Sequence, residues 1–351
     1  MRAGARRGLA ALLLAVALLS GGCWDARDIN ERSPAIAMSF DITRGAWRVG
    51  LWQALLSQSS ASQVMGSQAF GRGGSLTDAV KDLKGHLDKA LYVGAIKIYL
   101  VGPGVLQDRL PEVIDFLRQR VEVDSTSFLI GSVSPAAALL ARPDPTASLT
   151  ALHLLHEFDR RSGMAEQVPP VRLWESWRRT LTPGATNLVP LVAAASTTIV
   201  DAGSALVGPD GRLRVTLDSE ESAVLRWLMN TPTSTLIKLA DGSVTKIMAI
   251  RARPRFVGRR QVSVEISLQA DGYLVHGLMT SAWRRHVAQE TATAVAQRVL
   301  RLVRKLQASH ADIPGWREAA LEAGDEAYSL PQATVHVQVA AVIRPITVPG
   351  L

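Results

Sequence analysis

One cysteine, Cys23, occurs in 351 residues. No intramolecular disulfide can therefore form. Long apolar runs are also missing. The longest, Leu9–Leu19, has 11 residues, whereas a helix crossing a bilayer needs about 20. A spanning helix is thus excluded. Aromatic residues make up only 5% of the chain, and no module interleaving them with basic side chains suggests nucleic-acid binding. Catalytic signatures are scarce. There is no Gly-x-Ser-x-Gly elbow. The glycine-rich "GRGGS", Gly71–Ser75, lacks the Gly-Lys-Ser/Thr ending of a phosphate loop. No catalytic residue, metal ligand set or cofactor is expected.

What remains is a chain of ordinary globular composition, 47% hydrophobic and 20% charged, long enough for about two domains. Its net charge is +8. Three of the cations, Arg2, Arg6 and Arg7, precede the apolar run. Positive residues, a short apolar stretch and then small residues (Ser20, Gly21, Gly22) make a secretory signal. Without residues 1–22 the chain keeps 36 basic against 31 acidic residues, a net of +5. That charge suits an anionic surface without selecting one.

Cys23 follows the small residues directly. This resembles a lipobox, with Ser20 where an aliphatic residue is usual and Leu19 one place further back. A diacylglycerol thioether on Cys23 accounts for both the position and the solitude of the thiol. The alternative is a free thiol beside an ordinary cleavage site. Two acyl chains would hold the mature chain stably, each buried methylene adding about 0.8 kcal/mol.

The residues after it, "CWDARDINE", resemble the mature start of the Ger(x)C family of spore germination lipoproteins. The matching positions are Cys23, Trp24, Asp25, Arg27, Asp28, Ile29 and Glu31. "KALYVGAIKIYLVG" is similar to a family segment in which an aromatic residue and a glycine precede a strand carrying a lysine, here Tyr92, Gly94 and Lys97. "LQASHADIPGW" resembles the family's Ala-Asp-Ile-x-Gly element, with Asp312, Ile313 and Gly315 in place. The segment after Ile313 is shorter than the family's. The resemblance implies a non-catalytic, lipid-anchored third subunit of a nutrient germinant receptor. It would sit on the outer face of the spore inner membrane, with integral membrane subunits as partners. Two other functions compete with it: a stand-alone solute-binding lipoprotein serving a transporter, and an envelope hydrolase built on "HLLHE", His153–Glu157.

Periodicity predicts an α+β, multi-domain chain of mixed sheets and packed helices, divided as 1–22 leader, 23–199 N-terminal region and 200–351 C-terminal domain. Pro34–Leu56 reads as two strands about a Thr-Arg-Gly-Ala turn, Ser57–Ser75 as a loop, and Leu76 onward as a helix capped by Ser75. Val121–Ile130 reads as a strand. Past position 200, "VGPDGR" marks a hairpin and Ser219 is expected to cap a helix. His286–Ser309 is the clearest helix, predicted to cross the C-terminal sheet. Arg251, Arg253 and Arg255 alternate along a strand and share one face, either as solvated edge residues or as a surface for headgroups or an acidic partner.

Overall fold

The computed structural model describes residues 32–56, 64–142, 150–159, 168–196, 198–231, 234–256, 261–273 and 280–345. The leader and Cys23, Trp24, Asp25, Arg27, Asp28 and Glu31 lie outside them, as do Arg259 and Arg260.

Strand β1 (Arg32–Thr43) and β2 (Ala46–Leu56) form the expected hairpin. Its two central residues, Arg44 and Gly45, both have positive φ, 54° and 78°, the backbone that matches the twist of a tight hairpin. The expected loop is corrected over most of its length: Val64–Gly73 is strand β3, paired with β2 from Leu56↔Val64 to Trp47↔Gly73. The glycines there serve close packing rather than bending. A Cβ on Gly71 would lie 2.2 Å from the Ala79 carbonyl oxygen of helix α1 (Leu76–Gly85). Ser75 caps α1 as predicted, its Oγ accepting from Asp78 N at 3.1 Å.

Next come β4 (Ala90–Tyr92), a 3-10 turn (Val93–Ala95) and β5 (Ile98–Val101). Helices α2 (Pro103–Asp108) and α3 (Leu110–Arg118) lead to β6 (Phe128–Ser132). The predicted strand at Val121–Ile130 shrinks to this later piece, because residues 121–127 are drawn into turns by Asp124, whose carboxylate takes the Thr126 N–H and hydroxyl at 2.8 and 2.7 Å. Helices α4 (Ala136–Leu140), α5 (Thr150–Asp159) and α6 (Leu173–Leu181) precede β7 (Asn187–Ala194), β8 (Ile199–Val207) and β9 (Leu213–Leu217). The first sheet runs β3-β2-β1-β5-β6-β7-β8-β9, with β4 beside the start of β1. The pairs from β1 through β5 and β6 to β7 are parallel. Position 200 falls within β8, which belongs to this sheet.

Both faces of the sheet are covered, as parallel strands require. Along β5, Tyr99 and Val101 enter one core with Phe40, Val113 and Leu117, while Ile98 and Leu100 enter the other with Trp52, Phe128 and Phe158. Asp41 is buried at the N-terminus of α4, accepting from Ala136 N and Ala137 N at 2.8 Å each. Burial raises its pKa, opposed by those two bonds and by Arg48.

The second sheet runs β10 (Thr235–Lys238), β11 (Val244–Phe256), β12 (Gln261–Tyr273), β13 (Thr334–Pro345). Helix α7 (Ser219–Leu228) leads into it. Its cap is Asp218, one residue before the expected Ser219. Asp218 Oδ1 accepts from Glu221 N at 2.8 Å and Glu221 Oε2 accepts from Asp218 N at 3.0 Å. The carboxylate prevails there because the Ser219 hydroxyl is turned to Asp201.

Strands β12 and β13 are parallel, so a crossover must join them. It contains α8 (Ser281–Ala308), 28 residues and about 42 Å long. Val295, Val299, Leu302, Val303 and Leu306 are buried along it, in one core with Val262, Val264, Ile266 and Leu268 of β12. Each such side chain contributes about 1.5–3 kcal/mol on burial. A short helix α9 (Trp316–Glu322) and a 3-10 turn (Leu330–Gln332) return the chain to β13. The predicted mixed α+β architecture, with its second sheet crossed by one long helix, is the observed one. Leu188 and Leu206 of the first sheet join the second core, so the two bodies share an apolar seam.

Candidate functional site

Two places assemble the residues singled out in the sequence. The first lies where the chain enters the fold. Strand β1 pairs with β4 in parallel, Arg32 with Ala90 and Pro34 with Tyr92. The starts of β1, β5 and β6 therefore lie at one end of the sheet. Tyr92, Gly94 and Lys97 sit there, and Gly94 and Lys97 lie against the 119–127 loop. A Cβ on Gly94 would be 2.7 Å from the Tyr92 ring and 3.0 Å from the Glu122 carbonyl oxygen, so a larger residue would displace the ring and crowd that oxygen. Lys97 Nζ donates to Asp124 Oδ2 at 2.6 Å. That bond, with those from Thr126, holds the Asp124 carboxyl down at about 2, below the usual carboxylate range. Ser127 Oγ donates to Ile96 O at 2.6 Å, and Phe128 N to Lys97 O at 2.9 Å. The loop is also bound from α6: Trp174 N donates to Ser125 O at 3.0 Å, Leu173 N to Ser127 O at 2.9 Å, and Arg172 Nη1 to Thr126 O at 2.6 Å.

The second place is the seam between the bodies. Asp312 is buried, 7% exposed. Its Oδ1 accepts from Ile313 N at 2.7 Å and from the Tyr328 hydroxyl at 2.8 Å, and its own N–H reaches Thr186 Oγ1, just before β7, at 3.1 Å. Burial pushes its pKa up to about 7, against the pull of those two bonds. Burial and the neighbouring carboxyl also raise the Tyr328 phenol. Gly315 has φ 92° and starts α9 in the left-handed region, which glycine adopts without strain. Arg317, two residues on, donates from Nε to Pro183 O at 3.1 Å and from Nη1 to Glu326 O and Tyr328 O at 2.9 and 3.0 Å. One side chain thus ties the first body to the second.

Nothing in the sequence pattern singled out Arg179 or Glu318, yet they deepen this seam. Arg179 is 3% exposed, with Nη2 at 3.8 Å from Glu175. Burial lowers its pKa, while Glu175 and Glu318 raise it. Its Nε and Nη1, and both Glu318 carboxylate oxygens, are buried without a hydrogen-bond partner among the described residues. Asp124 was equally unsignalled except by its Asp-x-Thr spacing, which suits a local side-chain turn.

The other candidates do not converge. His153 and Glu157 face each other on α5 at 4.0 Å. No group of three or more His, Cys, Asp or Glu placed to hold a metal occurs among the described residues. Arg251, Arg253 and Arg255 do share an exposed face, and Arg255 meets Glu265 of β12 at 3.4 Å.

Together these features define a two-sheet α+β chain with a clamped entry end and a buried polar seam. A family described as "Spore germination protein N-terminal domain" matches residues 25–194, and one described as "Spore germination B3/ GerAC like, C-terminal" matches residues 202–346. The chain belongs to this family of spore germination proteins. It is similar to spore germination protein B3 of Bacillus subtilis (strain 168), 27% identical over 129 residues, which is 35% of this chain and 34% of that protein. The match thus spans about a third of the curated relative's length. The crystal structure of the GerBC protein has the same fold, with a TM-score of 0.53 at 14% identity over 87% of this chain and 96% of that one.

Proposed function

We propose that the chain is the lipid-anchored, non-catalytic subunit of a spore nutrient germinant receptor. Cys23 carries a diacylglycerol, and the body stands on the outer face of the spore inner membrane beside integral membrane subunits. The observation that carries this is the placement of the family match, which begins at residue 25, two positions after the lone cysteine, and extends through both bodies to residue 346. Anchoring turns a three-dimensional search for membrane partners into a local one and raises effective concentration. No helix among the described residues is long and apolar enough to cross a membrane, so a covalent lipid supplies what the described fold does not.

Trp24, Asp25, Arg27, Asp28 and Glu31 form the charged segment between lipid and fold. Tyr92, Gly94 and Lys97 shape the end at which it arrives. Asp312 and Gly315 fix the relation of the two bodies. The test is the Cys23→Ala chain in its host. It is expected in the soluble fraction when the membrane subunits are absent, and the native chain is expected to co-purify with them. Persistence of Cys23→Ala on membranes without those partners contradicts the proposal.

A further inference from the structure

The fold has one end at which the chain arrives, and that end carries side chains suited to a lipid interface. Nine peptide steps separate Cys23 from Arg32, the first residue of β1. Fully extended they span about 30 Å, so an anchor on Cys23 keeps the entry end of the sheet near the bilayer. Strand β1, 12 residues, carries its other end, Thr43, about 36 Å further along. Among the described residues, the entry end holds the most exposed large hydrophobic side chain: Val121, 102% exposed, at the tip of the 119–127 loop. Trp174, 45% exposed, opens α6 and is bonded through its N–H to Ser125 of the same loop. The Arg178 guanidinium lies 5.5 Å from its ring centre.

Tryptophan and arginine are side chains that a membrane–water interface accommodates, with the indole at headgroup level and the cation near the phosphates. The loop is also firmly built, through Lys97–Asp124 and the α6 bonds, so neither residue is exposed by slackness. Several charges at this end are matched in pairs, Lys97 with Asp124, Arg118 with Asp115 and Arg172 with Asp159. Contact there would rest on the apolar side chains more than on net charge. The Arg251–Arg253–Arg255 row makes the opposite kind of surface, cationic and flat.

We propose that the 119–127 loop and the first turn of α6 rest on the bilayer, with Val121 and Trp174 entering its interface, so that the anchored body stands on this end. This rests on the anchoring proposed above. The lone cysteine provides the test, because a lipidated Cys23 leaves no free thiol. Full-length lipidated chains bearing Val121→Cys, Thr43→Cys or Arg253→Cys are labelled with an environment-sensitive fluorophore. They are then placed on phosphatidylcholine–phosphatidylglycerol vesicles carrying a headgroup nitroxide. A blue shift and loss of emission at position 121, with little change at 43 and 253, is the expected result. Equal or stronger loss at 43 or 253 on vesicle-bound protein overturns the orientation while leaving the anchor standing. Failure of the unlabelled chain to float with the vesicles, with a second thiol reacting at position 23, sinks the anchor and the orientation with it.

Discussion

Tyr328 donates its hydroxyl to Asp312 Oδ1 over 2.8 Å, inside a seam where Asp312 N also reaches Thr186 of the first body. The same oxygen takes the Ile313 N–H. A carboxyl so placed accepts hydrogen bonds well but carries charge poorly.

The pH dependence follows from that. With a folded pKa of about 7, against about 3.9 unfolded, the native state binds the proton more tightly. Stability from this group is therefore greatest below pH 4, falls as pH rises, and levels off above about 7. Asp312→Asn keeps the Oδ1 acceptor and removes the ionisation. It is expected to flatten the change in melting temperature between pH 5 and pH 8. Asp312→Ala, which leaves the Tyr328 hydroxyl without its acceptor, is expected to melt several degrees lower at both pH values. Thermal unfolding of the three chains checks this.

At the entry end the sign reverses. Asp124 titrates near 2, so its contribution persists at pH 5 and fades as pH falls towards 2. Asp124→Ala removes the Lys97 contact and both Thr126 bonds. A loss of about 1–2 kcal/mol in urea unfolding is expected, with faster amide exchange confined largely to residues 119–127. Lys97→Met alone should cost under about 1 kcal/mol, since the lysine side chain is 46% exposed.

Gly71 marks where the sequence pattern misled. Gly71→Ala drives a Cβ to 2.2 Å from Ala79 O and 2.3 Å from Leu83 N, both backbone atoms that cannot swing aside. Destabilisation above about 3 kcal/mol is expected. Gly74→Ala, with open space around it, serves as the neutral control in the same unfolding assay.

The elements legible in the sequence carried a local signal: the β8–β9 hairpin its Pro-Asp-Gly turn, with Gly211 at φ 79°, and α8 its apolar stripe. Strand β3 was not legible, because glycine next to serine signals a turn locally whereas here it admits α1. Asp218 displaced Ser219 as a cap for a tertiary reason, the demand of Asp201 on the serine hydroxyl. Of the site residues, Tyr92, Gly94, Lys97, Asp312 and Gly315 came from family resemblance. Their partners Glu122, Asp124 and Tyr328 did not, since contacts across 16 to 28 residues leave no local periodicity.

The histidines of α5 offer a further check. His153→Ala with His156→Ala should leave germination intact if "HLLHE" is helix surface and core. Abolished germination by a chain that is still folded and membrane-bound would revive a catalytic role for them.

The amino terminus of the protein from its native host bears most directly on the whole account. Mass spectrometry should find a chain starting at Cys23 with a diacylglycerol thioether on its sulfur. A free sulfhydryl there, or a leader removed at another position, contradicts the anchored subunit described above.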